Sequence, residues 1–222
     1  MISAGTLRRL THPILLRYWL KRTGTNVVRT RVGGFALRVY PTVFHPKYFG
    51  SSAILGEYIE SLDLKGKTFL DMGTGSGIVG LFASRAGAIV TGVDINPRAI
   101  ECAKENAAAA GLEIEYRHSD LFSNLRDRQF DVIAWNPPFF PKPARTAAEA
   151  ALYAGDGYAV IARFARESRR YLKDGGTIYV VLSMDLEIPV LARMFEGEGF
   201  SLSRVQARKW GFGETMVVLE IR

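Results

Sequence analysis

The residues best placed to do chemistry in this 222-residue chain are Asn136-Pro137-Pro138-Phe139, which follow the apolar run Phe130 to Trp135. A Pro-Pro pair has no N–H to donate and is stiff. It therefore fixes two acceptors, the Asn136 side-chain oxygen and the Pro137 carbonyl. Two fixed acceptors aimed at one point suit a planar NH2, as in a carboxamide or a nucleobase. Such a nitrogen is a poor nucleophile because its lone pair is conjugated. Hydrogen bonds from both of its hydrogens turn the lone pair toward an electrophile and favour the positive charge that develops. Phe139 offers a face on which the flat group can stack. No strong base is needed, because the alkylated nitrogen is acidic. The competing reading is a Pro-Pro turn that merely closes a strand.

The electrophile is suggested by a second stretch. Thr68-Phe69-Leu70-Asp71-Met72-Gly73-Thr74-Gly75-Ser76-Gly77 reads as a buried strand, a tight glycine turn and a helix start. Its spacing is Asp71-x-Gly73-x-Gly75-x-Gly77, not the G-x-G-x-x-G of a dinucleotide loop. A carboxylate at the strand end suits a cationic amino group better than a pyrophosphate, which points to S-adenosylmethionine (SAM). Asp94, followed by Ile95, closes the next strand at the spacing of an acid that takes ribose hydroxyls. Asp120 is placed to accept from an adenine amino group, with Leu121 or Phe122 packing on the ring. His118 could be a base, although a lone His at a strand end is more often structural, and no metal ligand set is expected.

These groups need a scaffold. Gly33-Gly34 between Val27 to Val32 and Phe35 to Tyr40 signals a hairpin. Ser51 or Ser52 is expected to cap a helix through Leu62. Asn96 and Pro97 open another, and helices are expected over Tyr158 to Lys173 and Pro189 to Glu198. Strands are expected at Thr68 to Met72, Ile89 to Val93, Glu113 to Arg117, Phe130 to Trp135, Thr177 to Ser183, Phe200 to Gln206 and Thr215 to Ile221. Strand and helix alternate and end in a strand pair, which predicts an α/β Rossmann-like fold. Its sheet would be seven-stranded and mainly parallel with an antiparallel last strand, binding ligands at the carboxyl ends of the strands. The loop Phe140 to Asp156 is long enough to be a lid.

Charge divides the chain in two. The first 50 residues hold nine Lys/Arg and no acid, so the whole net charge of +7 comes from there. We read residues 1–50 as a basic extension, an amphipathic helix over 3 to 22 and then the hairpin, and 51–222 as the SAM-binding domain. Such an extension suits RNA, a ribosome or an anionic surface. Cys102, the single cysteine, excludes an internal disulfide framework and fits a reducing cytoplasm. No apolar run reaches the length of a membrane span.

Asp71 to Gly77, Asp94, Asp120 and Asn136 to Phe139, in this order, resemble a class I SAM-dependent methyltransferase carrying the N-P-P-[YF] motif of amino-group methylation. Ala154-Gly155-Asp156-Gly157-Tyr158 and the helix after it are similar to the HemK-type glutamine methyltransferases, which modify the side-chain amide of a Gly-Gly-Gln loop in translation release factors. Gly213-Glu214-Thr215 is similar to members lacking a large N-terminal domain. The resemblance spans about residues 45 to 222 and implies a macromolecular substrate and room for a small activating subunit. The leading acceptor is a protein glutamine, and the alternative is an exocyclic amine of rRNA, tRNA or DNA. An inactive SAM-binding module that contacts RNA or ribosomes, and a dinucleotide oxidoreductase, are the readings from other classes.

Overall fold

The computed structural model describes residues 26–222 apart from 127, 185 and 211–213. The helix expected over residues 3 to 22 lies outside them. Strands β1 (Val28–Val32) and β2 (Phe35–Val39) form the expected hairpin, with Val32 opposite Phe35. Gly33 and Gly34 turn it at φ 55° and 87°, a region that side chains resist. Alternation sends Val32, Phe35, Leu37 and Val39 inward and leaves Arg29, Arg31 and Arg38 exposed. The inner residues join the same apolar cluster as one face of the main sheet.

Helices α1 (Pro46–Phe49) and α2 (Ser51–Glu60) are joined by Gly50 at φ 65°. Alternating units follow: β3 (Thr68–Met72), α3 (Ile78–Arg85), β4 (Ile89–Asp94), α4 (Pro97–Ala109), β5 (Glu115–His118) and β6 (Phe130–Trp135). The chain continues through α5 (Ala147–Ala150), α6 (Ala159–Ser168), β7 (Leu172–Ser183), α7 (Ile188–Glu196), β8 (Leu202–Trp210) and β9 (Glu214–Ile221). The seven-stranded sheet has the order β5-β4-β3-β6-β7-β9-β8. Pairing is parallel from β5 to β7, and β9 runs antiparallel to both of its neighbours. The strand order reverses beside β3, so the carboxyl ends of β3 and β6 open a crevice.

Period-two alternation gives the sheet two apolar faces. Phe69, Val132, Ala134 and Val181 pack with α2, α3 and α4, while Leu70, Ile133, Trp135 and Val180 pack with α6 and α7. Asn106 of α4, fully buried, stitches the hairpin to this body. Its Oδ1 accepts from the Arg38 N–H at 2.8 Å, and its Nδ2 donates to the carbonyls of Arg38 at 3.0 Å and Ser76 at 2.9 Å.

The boundaries that differ most from expectation have structural reasons. The helix expected to reach Lys173 stops at Ser168, gives a single 3-10 turn, and Leu172 already pairs with Phe130. Register then jumps to Val132 opposite Thr177, so Asp174-Gly175-Gly176 bulges from the β6–β7 pairing with Gly175 at φ 72°. β5 spans Glu115–His118 because it pairs with the end of β4, up to His118 beside Asp94. β8 runs four residues past the expected Gln206, to Trp210, because β9 begins at Glu214 and pairs with it from Trp210 back to Leu202, with one register shift between Arg204 and Gln206.

Candidate active site

At the carboxyl ends of β3, β4 and β6 lies a cavity of about 530 Å³, within the usual range for small-molecule sites. Gly73 and Gly75 line it at φ 63° and 54°. A Cβ built on either meets no protein atom closer than 3.6 Å, so the bare backbone faces the space a ligand would fill. The loop between them is pinned by Thr74 N–H donating to the Val93 carbonyl at 2.8 Å. Thr74 also lines the cavity.

Two residues expected to touch a cofactor stand elsewhere. Asp71 is buried beneath the turn, where its Oδ2 accepts from the Thr74 hydroxyl at 2.5 Å and the Gly80 N–H at 3.0 Å, and it does not line the cavity. A side chain one residue before the end of a buried strand has the loop above it, so Asp71 holds the loop in place of a ligand. Burial pushes its carboxyl up to about 7. Gly77 is also absent from the lining; a Cβ there would come within 2.9 Å of the Tyr116 hydroxyl and 3.1 Å of Ala103. Its glycine serves close packing of the loop on α4.

Asp94 and Ile95 do line the cavity. Asp94 Oδ2 accepts from the Gly75 N–H at 2.9 Å and Oδ1 from the Asn96 N–H at 2.8 Å. Burial raises its pKa, an effect that these hydrogen bonds oppose. Asn96 caps α4 as expected, accepting from the Arg98 N–H at 3.0 Å. Asp120 and Leu121 sit at the mouth of the cavity, Leu121 at φ 47°. Phe122, the alternative to Leu121, points into the core and stacks between Phe164 and Tyr171 at centroid distances of 5.3 and 4.4 Å. His118 is structural: its Nε2 pairs with the Ile95 carbonyl at 2.8 Å.

Asn136, Pro137, Pro138 and Phe139 line the opposite wall. The Asn136 Nδ2 donates to Ser51 Oγ at 3.0 Å and Ser52 Oγ at 2.8 Å, and its Oδ1 is buried with no hydrogen-bond partner. The two serines therefore do not cap α2. Its N-cap is Gly50, in a left-handed conformation with no side-chain cap bond. The segment after Phe139 folds back as a strap over the cavity, with Phe140 N–H donating to the Leu152 carbonyl and Ala154 N–H to the Phe140 carbonyl, at 2.9 and 2.7 Å. Leu152 and Tyr153 from this strap, and Phe44 from the segment before α1, add apolar lining.

Sequence reasoning missed four contributors. Ser51 and Ser52 carried only a capping signal. Arg163, which recurs with Arg166 and Arg170 at the spacing of a solvated helix face, lines the cavity and makes a two-point ion pair with Asp120. Thr42, which receives the Asn96 amide at 3.2 Å, had no signal beyond being polar next to a proline.

The model of the family described as the methyltransferase small domain matches residues 37–212. The chain belongs to this methyltransferase family. It is 32% identical over 193 residues to a provisionally named protein N5-glutamine methyltransferase of Methanocaldococcus jannaschii, covering 84% of this chain and 95% of that one. It spans about half the length of other curated relatives it matches. The T. thermophilus 16S rRNA N2 methyltransferase RsmC, solved with AdoMet and guanosine, superposes with a TM-score of 0.64 at 22% identity, covering 89% of this chain and 50% of that one. The E. cuniculi Mtq2–Trm112 complex, described as responsible for methylating the eRF1 termination factor, gives a TM-score of 0.64 at 21% identity and covers 82% and 98%. The Rossmann-like fold and the HemK-type kinship expected from sequence both hold. This methyltransferase uses SAM, and the cavity, walled by bare glycine backbone and lined by Asp94 and Asp120, fits that cofactor. Among the described residues, no helix is long and apolar enough to cross a membrane.

Proposed function

We propose that this methyltransferase modifies a planar NH2, with the side-chain amide of a protein glutamine as acceptor. The observation that carries the reading is the Asn136 carboxamide, which lines the cavity and is held by two serines with its Oδ1 buried and unpaired. A buried acceptor without a partner costs free energy, of the order of 1–3 kcal/mol, until a donor arrives. An N–H of the acceptor amide supplies that donor.

Gly73, Thr74 and Gly75 would hold the cofactor's amino-acid end along the bare loop. Asp94 with Ile95 would take its ribose, and Asp120 with Leu121 its adenine. When bound, SAM supplies an electrophilic methyl group. The chain's own residues do the rest. Asn136 Oδ1 and the Pro137 carbonyl accept the two amide hydrogens, turn the nitrogen lone pair into line and favour the positive charge that forms on it. Phe139 stacks on the amide plane, and the strap excludes water. The methylated nitrogen sheds one proton to water, so no dedicated base is required. Fixed alignment of this kind is worth roughly 7–11 kcal/mol of barrier.

Glutamine is preferred because the relative matched over 95% of its length carries that activity in its name, and a protein acceptor is supported by the neighbour described as methylating eRF1, matched over 98% of its own chain. The neighbour's subunit also supports a small partner for this chain. A second reading, an exocyclic amine of rRNA or tRNA, is favoured by the rRNA methyltransferase neighbour and by the basic residues 1–50, which would then dock RNA. Both readings place the enzyme in the cytoplasm. The deciding experiment transfers labelled methyl from SAM into a lysate of the source organism lacking this gene, followed by separate protease and nuclease digestion. Label released by protease is the expected result; label released by nuclease replaces the glutamine reading with the nucleobase one.

A further inference from the structure

We infer that Ser51 and Ser52 form a socket that sets the Asn136 carboxamide, so that both are positioning residues for methyl transfer. The inference rests on reading Asn136 as the group that binds the acceptor. Each serine takes one of the two Nδ2 hydrogens, at 3.0 and 2.8 Å, and the polar atom left over is the unpaired Oδ1. The donor side of the amide is used up, and the one atom left without a partner is an acceptor. That choice favours a substrate with N–H bonds over one with bare lone pairs.

The socket comes from far away in the chain, 85 and 84 residues before Asn136. Ser51 is 0% and Ser52 8% exposed, so water does not compete for these bonds. Hydroxyls at a helix start ordinarily accept from the helix's own free N–H groups. Here α2 has no side-chain cap, and the hydroxyls are committed to Asn136 instead. The turn that delivers them is itself clamped: Gly50 sits at φ 65°, and a Cβ there would collide with the Trp210 indole at the end of β8. Glycine allows the left-handed turn and the aromatic lid over it, and the next two residues are aimed at the Asn136 amide.

If the serines act through Asn136, their removal must cost nothing once Asn136 is gone. The test is a double-mutant cycle on the full chain. Its readouts are the initial rate of labelled methyl transfer from SAM into the gene-deleted lysate, and SAM affinity by calorimetry. S51A/S52A is expected to lower the rate about 10- to 100-fold, the cost of misplacing a reacting group by about 1 Å. SAM affinity is expected to change by less than about threefold, since one hydrogen bond to the ligand would be worth more than that. Added to N136A, the serine changes should produce no further loss, because residues that act as a unit are non-additive. If the double variant does not fold, S52A alone carries the test, with a loss of about fivefold that likewise vanishes in the N136A background. A wild-type rate in the folded serine variant overturns the inference, as does an equal loss in the N136A background. A wild-type rate for N136A instead overturns the proposed chemistry itself, and the socket with it.

Discussion

Asn136 Oδ1 is the acceptor on which the proposed chemistry turns, so Asn136→Ala should leave SAM binding intact and lower transfer at least about 100-fold, as loss of one preorganised polar group does elsewhere. Calorimetry beside the transfer assay checks both halves; unchanged transfer would remove Asn136 from the mechanism. Asp71 makes a different prediction, because its carboxyl titrates near 7 in the fold and near 3.8 when free, burial being the main cause. Between those values the folded state keeps a proton that the unfolded chain has lost. By linkage, stability then falls as pH rises from about 4 to about 7. Asp71→Asn removes the titration, so denaturant unfolding from pH 5 to pH 8 should show a smaller decline in the variant than in the wild type. Equal slopes would mean that Asp71 is ionised throughout. The spacing of Asp71 before Gly73 was legible in the sequence; its direction was not. A strand-end acid can face a ligand or the underside of its own loop, and only the Thr74 hydroxyl and Gly80 N–H below it decide.

At the scale of elements, the glycine turns, the α4 cap and the hairpin were readable because each depends on a few adjacent residues. The stitching between elements was not. Asn106 reads as a polar residue in an alanine-rich helix, yet it satisfies the Arg38 N–H and two carbonyls, binding β2 and the β3–α3 loop to α4. Asn106→Ala leaves these buried groups unpaired and should cost about 1–3 kcal/mol or more in chemical denaturation. A change below about 0.5 kcal/mol would show that water replaces the amide at no cost. Arg163 behaves similarly. It belongs to a stripe with Arg166 on α6 and Arg170 in the 3-10 turn after it, and only the packing of α6 beside the loop after β5 selects it as Asp120's partner. Arg163→Ala frees the Asp120 carboxylate at the cavity mouth. The pair is partly exposed, so the change in SAM affinity should be modest, within about fivefold by titration calorimetry.

For the whole molecule, charge asymmetry and acceptor identity are linked. Arg29 and Arg31 stand exposed on the outer side of the hairpin whose inner side is core. Arg29→Glu with Arg31→Glu should leave the fold intact, since exposed charges contribute little to stability. On the glutamine reading, protease-releasable labelling should then change by no more than about twofold, and its fall with added salt should be shallow. On the nucleobase reading, labelling collapses and the wild type already shows a steep salt dependence from counterion release.

Sequence alone determined the class of this protein. Period-two apolar runs, alternate glycines and a rigid Asn-Pro-Pro are local features, and local backbone physics makes them mean nearly the same thing in any chain: a parallel sheet, a bare cofactor loop and fixed acceptors at a strand end. Tertiary structure decided which groups those features face. It turned Asp71 and Gly77 inward, gave Asp120 to Arg163, and took two serines from their helix to hold an amide more than 80 residues away. Those choices are settled by which surfaces meet when the strand order reverses, and contacts between distant segments leave no periodic trace in the segments themselves.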